Sequence, residues 1–132
     1  DLGNHTYSNP DYNSVTFNEY ARDIINGAKI SSELLKTHGR ELMYFRHPFL
    51  HVGNTKSKAD SLEEFLKNNG YTVAPVTVDN EDYLFALAYK RALAKNDIEL
   101  AKRIGTDYIS YMEEKIIYYE QQTIEQFGRN IC

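Results

Sequence analysis

The sequence predicts an α/β fold in which short strands alternate with helices long enough to cross over between them. Three observations carry this expectation. Apolar residues recur at a helical period after Thr16, after Thr55, from Tyr83 and beyond Asn96. Two short runs, 42–45 and 71–78, are apolar or β-branched and read as strands. The order along the chain is loop, helix, strand, helix, strand, helix, and strands joined by such long connections pair in parallel.

Taken in order, residues 1–15 are polar, with Gly3, Asn9, Pro10, Asp11 and Asn13, and read as a loop. Thr16-Phe17-Asn18-Glu19 is a capping box, with Val15 and Tyr20 at the two staple positions. The helix that follows has apolar residues at Phe17, Tyr20, Ala21, Ile24, Ile25, Ala28 and Leu35, close to a 3.6 period, and Gly39 ends it. Residues 42–45 form a buried strand before a loop through His47, Pro48, His51, Gly53 and Asn54. A second helix spans about 55–69, with Ala59, Leu62, Phe65 and Leu66 inward and Gly70 as its stop. The strand over 71–78 contains Pro75, which places it at an edge or makes it irregular. A third helix covers about 83–94. Asn96 and Glu99 then cap a long helix that runs toward Phe127, whose apolar set includes Ile98, Ala101, Ile104, Tyr108, Met112, Ile116 and Tyr119 and which Gly128 stops. Gly105 is the weak point of that helix.

Composition narrows the function classes. The 132 residues suit one domain, 1–132. A net charge of −4 excludes nucleic acid as the main partner, because phosphate binding needs a basic face. There is no apolar run long enough for a membrane span, and no charged-then-apolar leader is visible. One cysteine, Cys132, excludes an internal disulfide and a cysteine-rich zinc site. Eleven tyrosines without a tryptophan lean toward carbohydrate, since tyrosine offers a flat apolar face and a hydroxyl. The same residue equally suits any amphipathic surface.

Three polar clusters, 5–9, 46–51 and 79–82, fall where strands end. In a parallel α/β barrel the C-terminal strand ends converge on one face and build the active site. The first cluster lacks a preceding strand in this reading and requires one upstream of Asp1. Two strands alone do not make a parallel sheet covered on both faces. The expectation is therefore a partial fold.

The clusters resemble known signatures. Gly3-Asn4-His5-Thr6-Tyr7-Ser8-Asn9-Pro10 is similar to the His-Ser/Thr-x-x-His signature of the NodB-homology polysaccharide deacetylases. Phe45-Arg46-His47-Pro48-Phe49 resembles their Arg-x-Pro-aromatic signature, and Val78-Asp79-Asn80-Glu81-Asp82-Tyr83 their Asp-x-x-Asp-Trp signature. The three occur in the family's order, with Gly70-Tyr71-Thr72-Val73 leading into the last.

The resemblance implies a partial deformed parallel (β/α) barrel, with the family's first and last strands absent. It also implies a divalent metal, zinc by preference, and hydrolysis of N-acetyl groups from an N-acetylglucosamine-containing saccharide. It assigns metal ligation to His5 and, where the family has a second His, to Asn9, a neutral and weaker donor. Arg46 orients the catalytic carboxylate, Asp82 tethers the acid His, and Pro48, Phe49 and Tyr83 bind substrate. The family's Asp-Asp pair and Leu-x-His signature do not occur in the chain. On this reading they lie before Asp1 and beyond Cys132, and the segment alone is inactive. Such enzymes work in secreted, periplasmic or cell-envelope settings.

Each residue also has an ordinary reading. His5 is a loop residue, and Asn9 before Pro10 makes a turn. Arg46 pairs with a surface acid, and Asp82 belongs to a solvated helix start. His38 stabilises a helix C-terminus, and His47 and His51 are loop residues flanking Pro48 and its neighbours. Two alternatives to catalysis stand beside the deacetylase reading. One is a catalytically dead sugar-binding relative. The other is a structural fragment completed by self-association or by another chain.

Overall fold

The computed structural model describes residues 2–131, which are mixed α/β and mostly helical. They divide into two compact units, 1–75 and 76–132, each taken by itself below.

The first unit holds a three-stranded parallel sheet: β1 (Gly3–Asn4), β2 (Tyr44–Phe45) and β3 (Thr72–Val73), in that order across the sheet. Gly3 and Asn4 pair with Tyr44 and Phe45, which pair in turn with Thr72 and Val73. The strand expected upstream of Asp1 is therefore corrected: Gly3 and Asn4 themselves form it, directly before His5. Local sequence does not announce β1, because its extended shape comes from pairing with residues 44 and 45. The strand expected over 42–45 shrinks to two residues, of which only Phe45 is buried. The strand expected over 71–78 shrinks to Thr72–Val73. Ala74 still donates to Phe45 O at 2.8 Å, but the neighbouring strand then turns away at His47–Pro48, so 76–78 has no ladder to join. As Pro75 implies, β3 is an outer strand of this sheet.

Helix α1 (Phe17–Lys36) begins as expected. The Thr16 hydroxyl accepts from Glu19 N–H, and the Glu19 carboxylate accepts from Thr16 N–H at 2.9 Å. It ends at Lys36, before Gly39, and Ile25 faces solvent rather than the core. His38 Nδ1–H donates to Leu34 O at 3.1 Å, the C-terminal role expected of it. Helix α2 (Lys56–Asn68) is capped by the Thr55 hydroxyl and buries Leu62 and Leu66.

The core gathers Tyr12, Tyr20, Ile24, Phe45, Leu62 and Leu66, so α1 and α2 both cover one face of the sheet. Tyr12 comes from a loop, yet its ring is fully buried 4.4 Å from that of Tyr20. Lys58 holds this loop: Nζ donates to Tyr12 O at 2.6 Å and to Val15 O at 2.8 Å, and sits over the Tyr12 ring. Gly53, at φ +107, lies where a Cβ would come within 2.7 Å of Lys58 Cβ.

The second unit is a pair of helices, α3 (Asp82–Ala94) and α4 (Ile98–Phe127). Asp97, not Asn96, caps α4 by accepting from Leu100 N–H; Asn96 instead adopts a left-handed φ of 55. Gly128 ends α4 in the left-handed conformation, as expected. Phe85 packs against Tyr108 and Tyr111 at 5.4 and 5.0 Å. Ile98 and Ile116, members of the apolar set of α4, are exposed: a single helix beside α4 covers only part of its circumference. No helix among the described residues is long and apolar enough to cross a membrane.

Candidate strand-end site

His5 follows β1 and Arg46 follows β2, so parallel pairing sets them side by side at the C-terminal edge of the sheet. Arg46 N–H donates to Asn4 O at 3.0 Å, and His5 Nδ1 lies 2.9 Å from Arg46 O. A carbonyl only accepts, so Nδ1 of this imidazole carries a proton, and in the neutral ring the lone pair is therefore on Nε2. That is the arrangement of a His poised to ligate a metal or take a proton. The Arg46 guanidinium reaches the end of β3, where Nη2 donates to Pro75 O at 3.0 Å, and it remains exposed.

Asn4 fixes the edge from beneath. It is buried and fully engaged: Nδ2 donates to Ile24 O at 2.9 Å and to the Tyr71 hydroxyl at 2.8 Å, and Oδ1 accepts from Thr6 N–H. Gly27 of α1 touches the same place, where a Cβ would stand 2.5 Å from Thr6 C and 2.8 Å from Asn4 Oδ1. The loop after β1 is tied to α1 by Asp23, which accepts from Tyr7 N–H, Ser8 N–H and the Ser8 hydroxyl. Burial pushes the Asp23 carboxyl up, but these donors, with Thr6, hold it below the usual carboxylate range.

Five non-glycine residues have positive φ among the described residues, and four of them, Thr6, Asn9, Phe49 and Leu50, lie in the two loops that follow β1 and β2. Each costs about 1 kcal/mol or more, and a β-branched residue such as Thr6 more than most. Phe49 combines this strain with a ring that is 60% exposed. Pro48 beside it is buried in the short 3-10 turn Pro48–Leu50, so of the two expected groove residues Phe49 alone presents a surface.

Asn9 is exposed, at φ 55, and its N–H donates to the Thr6 hydroxyl at 3.2 Å. That is the turn role open to it from sequence. Among the described residues no group of three or more His, Cys, Asp or Glu stands close enough to hold a metal ion. His5 thus fits as one ligand, and the described residues do not complete a set around it. Asp82 and Tyr83 form the first turn of α3 in the second unit. Asp82 N–H donates to Asn80 Oδ1 at 2.9 Å, and both residues are exposed.

Sequence reasoning missed two neighbours. His51 Nδ1 lies 2.7 Å from Asp11 Oδ1, and the Asp11 carboxyl is lowered chiefly by that hydrogen bond and then by Asn13 N–H. Forty residues separate the pair, so no local signal could have found it. His47 has a buried Nδ1 without a hydrogen-bond partner. Burial, and secondarily the charge of His5, push its pKa down, so the ring stays neutral. Comparison with protein-family models, curated proteins and solved structures finds no match to this chain.

Proposed function

We propose that the chain is the central part of a NodB-type carbohydrate N-deacetylase domain, whose strand-end face receives an N-acetylated saccharide. The observation that carries this reading is the juxtaposition of His5 and Arg46 at adjacent parallel strand ends, with His5 Nδ1–H held by Arg46 O so that Nε2 is the ring nitrogen open to a ligand. Strands in chain order with both helices on one face also accord with a segment of a partial (β/α) barrel. The opposite face carries an open depression of about 490 Å³ that runs past Leu2, Gly3 and Tyr44 to His5 and Arg46.

In this reading Phe49 supplies an apolar platform for a sugar ring. Arg46 orients an acidic or carbonyl group, and His5 donates a lone pair at the reacting end. The family's metal supplies Lewis-acid activation of the acetamide and its water when bound. Here the chain offers it His5 alone as a matching ligand, so no step is assigned through it.

Asn9 favours a second reading, a sugar-binding relative without turnover, because its side chain belongs to an exposed turn where the family has a metal-binding His. Titration with a tetramer of N-acetylglucosamine, with zinc and then with chelator, separates the two. The deacetylase reading expects zinc to tighten saccharide binding in wild type and not in His5→Ala. Binding indifferent to chelator and to His5→Ala, but lost in Phe49→Ala, supports the second reading. No binding under either condition overturns both.

A further inference from the structure

We propose that the groove between α3 and α4 binds a small organic cation of the alkylammonium class, held by three aromatic rings and the Asp82 carboxylate. The inference concerns the second unit alone and is independent of the strand-end reading. Asp82, Phe85, Ala86 and Tyr89 recur at helical spacing and so share one face of α3. From α4 come Ile104, Gly105 and Tyr108. These residues line an open groove of about 450 Å³, a size suited to a small molecule.

The groove is open because small residues stand in its walls. Gly105 has no side chain, and a Cβ at that position would meet nothing within 4 Å. Ala86 contributes a single methyl from α3. Two of the rings that frame the gap are held in place. Phe85 packs on Tyr108 and Tyr111, with centroids 5.4 and 5.0 Å away. The Tyr111 hydroxyl accepts from Glu81 N–H at 3.0 Å, which ties the start of α3, and Asp82 with it, to α4.

The lining selects charge. Aromatic faces carry the negative part of a quadrupole and attract cations. Asp82 is the one charged residue in the lining, and among the described residues no basic group pairs with its carboxylate. It closes a run, 79–82, that holds three acids and no base. An anion would meet this carboxylate and no Lys, Arg or His in the groove. A neutral apolar ligand would desolvate the carboxylate without pairing it. A neighbouring ring already takes a cation: Lys115 Nζ lies over Tyr111, 5.5 Å from its centroid. The rings of Phe85, Tyr89 and Tyr108 carry none among the described residues. An alkylammonium group fits better than a metal ion. Its charge is spread over apolar carbons that the rings can touch, and one carboxylate is no metal's ligand set.

Titration of the isotope-labelled full chain with choline, read by backbone chemical shifts, tests the site. Saturable shifts are expected at 82–89 and 104–108. The neutral isostere, with a tert-butyl group in place of trimethylammonium, is expected to bind at least about fivefold more weakly. Gly105→Leu fills the groove where the backbone leaves room, and is expected to abolish the shifts while the melting temperature is kept or raised. Tyr108→Phe keeps the ring and is expected to keep binding. Asp82→Asn is expected to weaken it at least about threefold. Glu113→Gln, the same charge change on an exposed residue outside the lining, is expected to leave it unaltered. No saturable shift at millimolar choline overturns the proposal. So does equal binding of the isostere, or binding that survives Gly105→Leu or is indifferent to Asp82→Asn.

Discussion

The first unit closes around six large side chains drawn from a loop, two helices and a strand, whereas the second, with the longest helix of the molecule, fully buries only Ala92, Ala101 and Thr123 among its described residues. The difference is topological. A sheet with helices on one face surrounds each inward residue from several sides. Two helices side by side cover one narrow stripe of each other and leave the rest exposed. The consequence reaches function. Strain at Thr6, Asn9, Phe49 and Leu50 needs a rigid support that over-determines it, and only the first unit offers one. The second unit instead leaves much of its apolar surface exposed.

The largest effect should come from the core. Phe45→Ala is expected to cost the first unit about 3–5 kcal/mol in denaturant unfolding, while Leu87→Ala on exposed α3 costs less than about 1. Equal costs would break the contrast. Next comes a pair of glycines with opposite signs. Gly27→Ala forces a Cβ to 2.5 Å from Thr6 C and is expected to destabilise by about 1–3 kcal/mol. Gly105→Ala meets nothing within 4 Å and is expected to stabilise by about 0.5–1 kcal/mol, because alanine is the better helix former. Melting temperatures decide both signs.

A smaller effect concerns Phe49. Phe49→Gly removes a left-handed strain and is expected to stabilise by up to about 1 kcal/mol while weakening saccharide binding, so its thermal and binding effects run in opposite directions. The smallest is the Asp11–His51 bond. The Asp11 carboxyl is lowered in the folded state, so its contribution is present above the ordinary value of 3.8 and is lost as pH falls through the folded one. The melting difference between wild type and Asp11→Asn should therefore shrink between about pH 5 and pH 2. A difference that grows on acidification contradicts the assignment.

The features legible in the sequence are those decided within a few residues. The Thr16–Glu19 capping box and the Gly128 stop are local chemistry, and helices begin or end at them. Strand β1 is two residues long and includes a polar, buried Asn4, so nothing local marks it. The β-branched run at 76–78 has strand propensity but no neighbour to pair with. In the site, His5 and Arg46 stand in two stretches that resemble signatures of one family, and such a resemblance spans the sequence distance between them. Asp11 and His51 belong to no such pattern. Ile98 and Ile116 belong to the apolar period of α4 yet are exposed, because periodicity names a helix face without saying what covers it.

The central claim is that the edge carrying His5 and Arg46 receives a saccharide. The most direct measurement is backbone chemical-shift mapping of the isotope-labelled chain as a tetramer of N-acetylglucosamine is added. The account predicts saturable shifts concentrated at 5–8 and 46–51, and abolished in Arg46→Ala with the fold retained. Shifts confined to the second half of α4, or no saturable shift at millimolar saccharide, would contradict it.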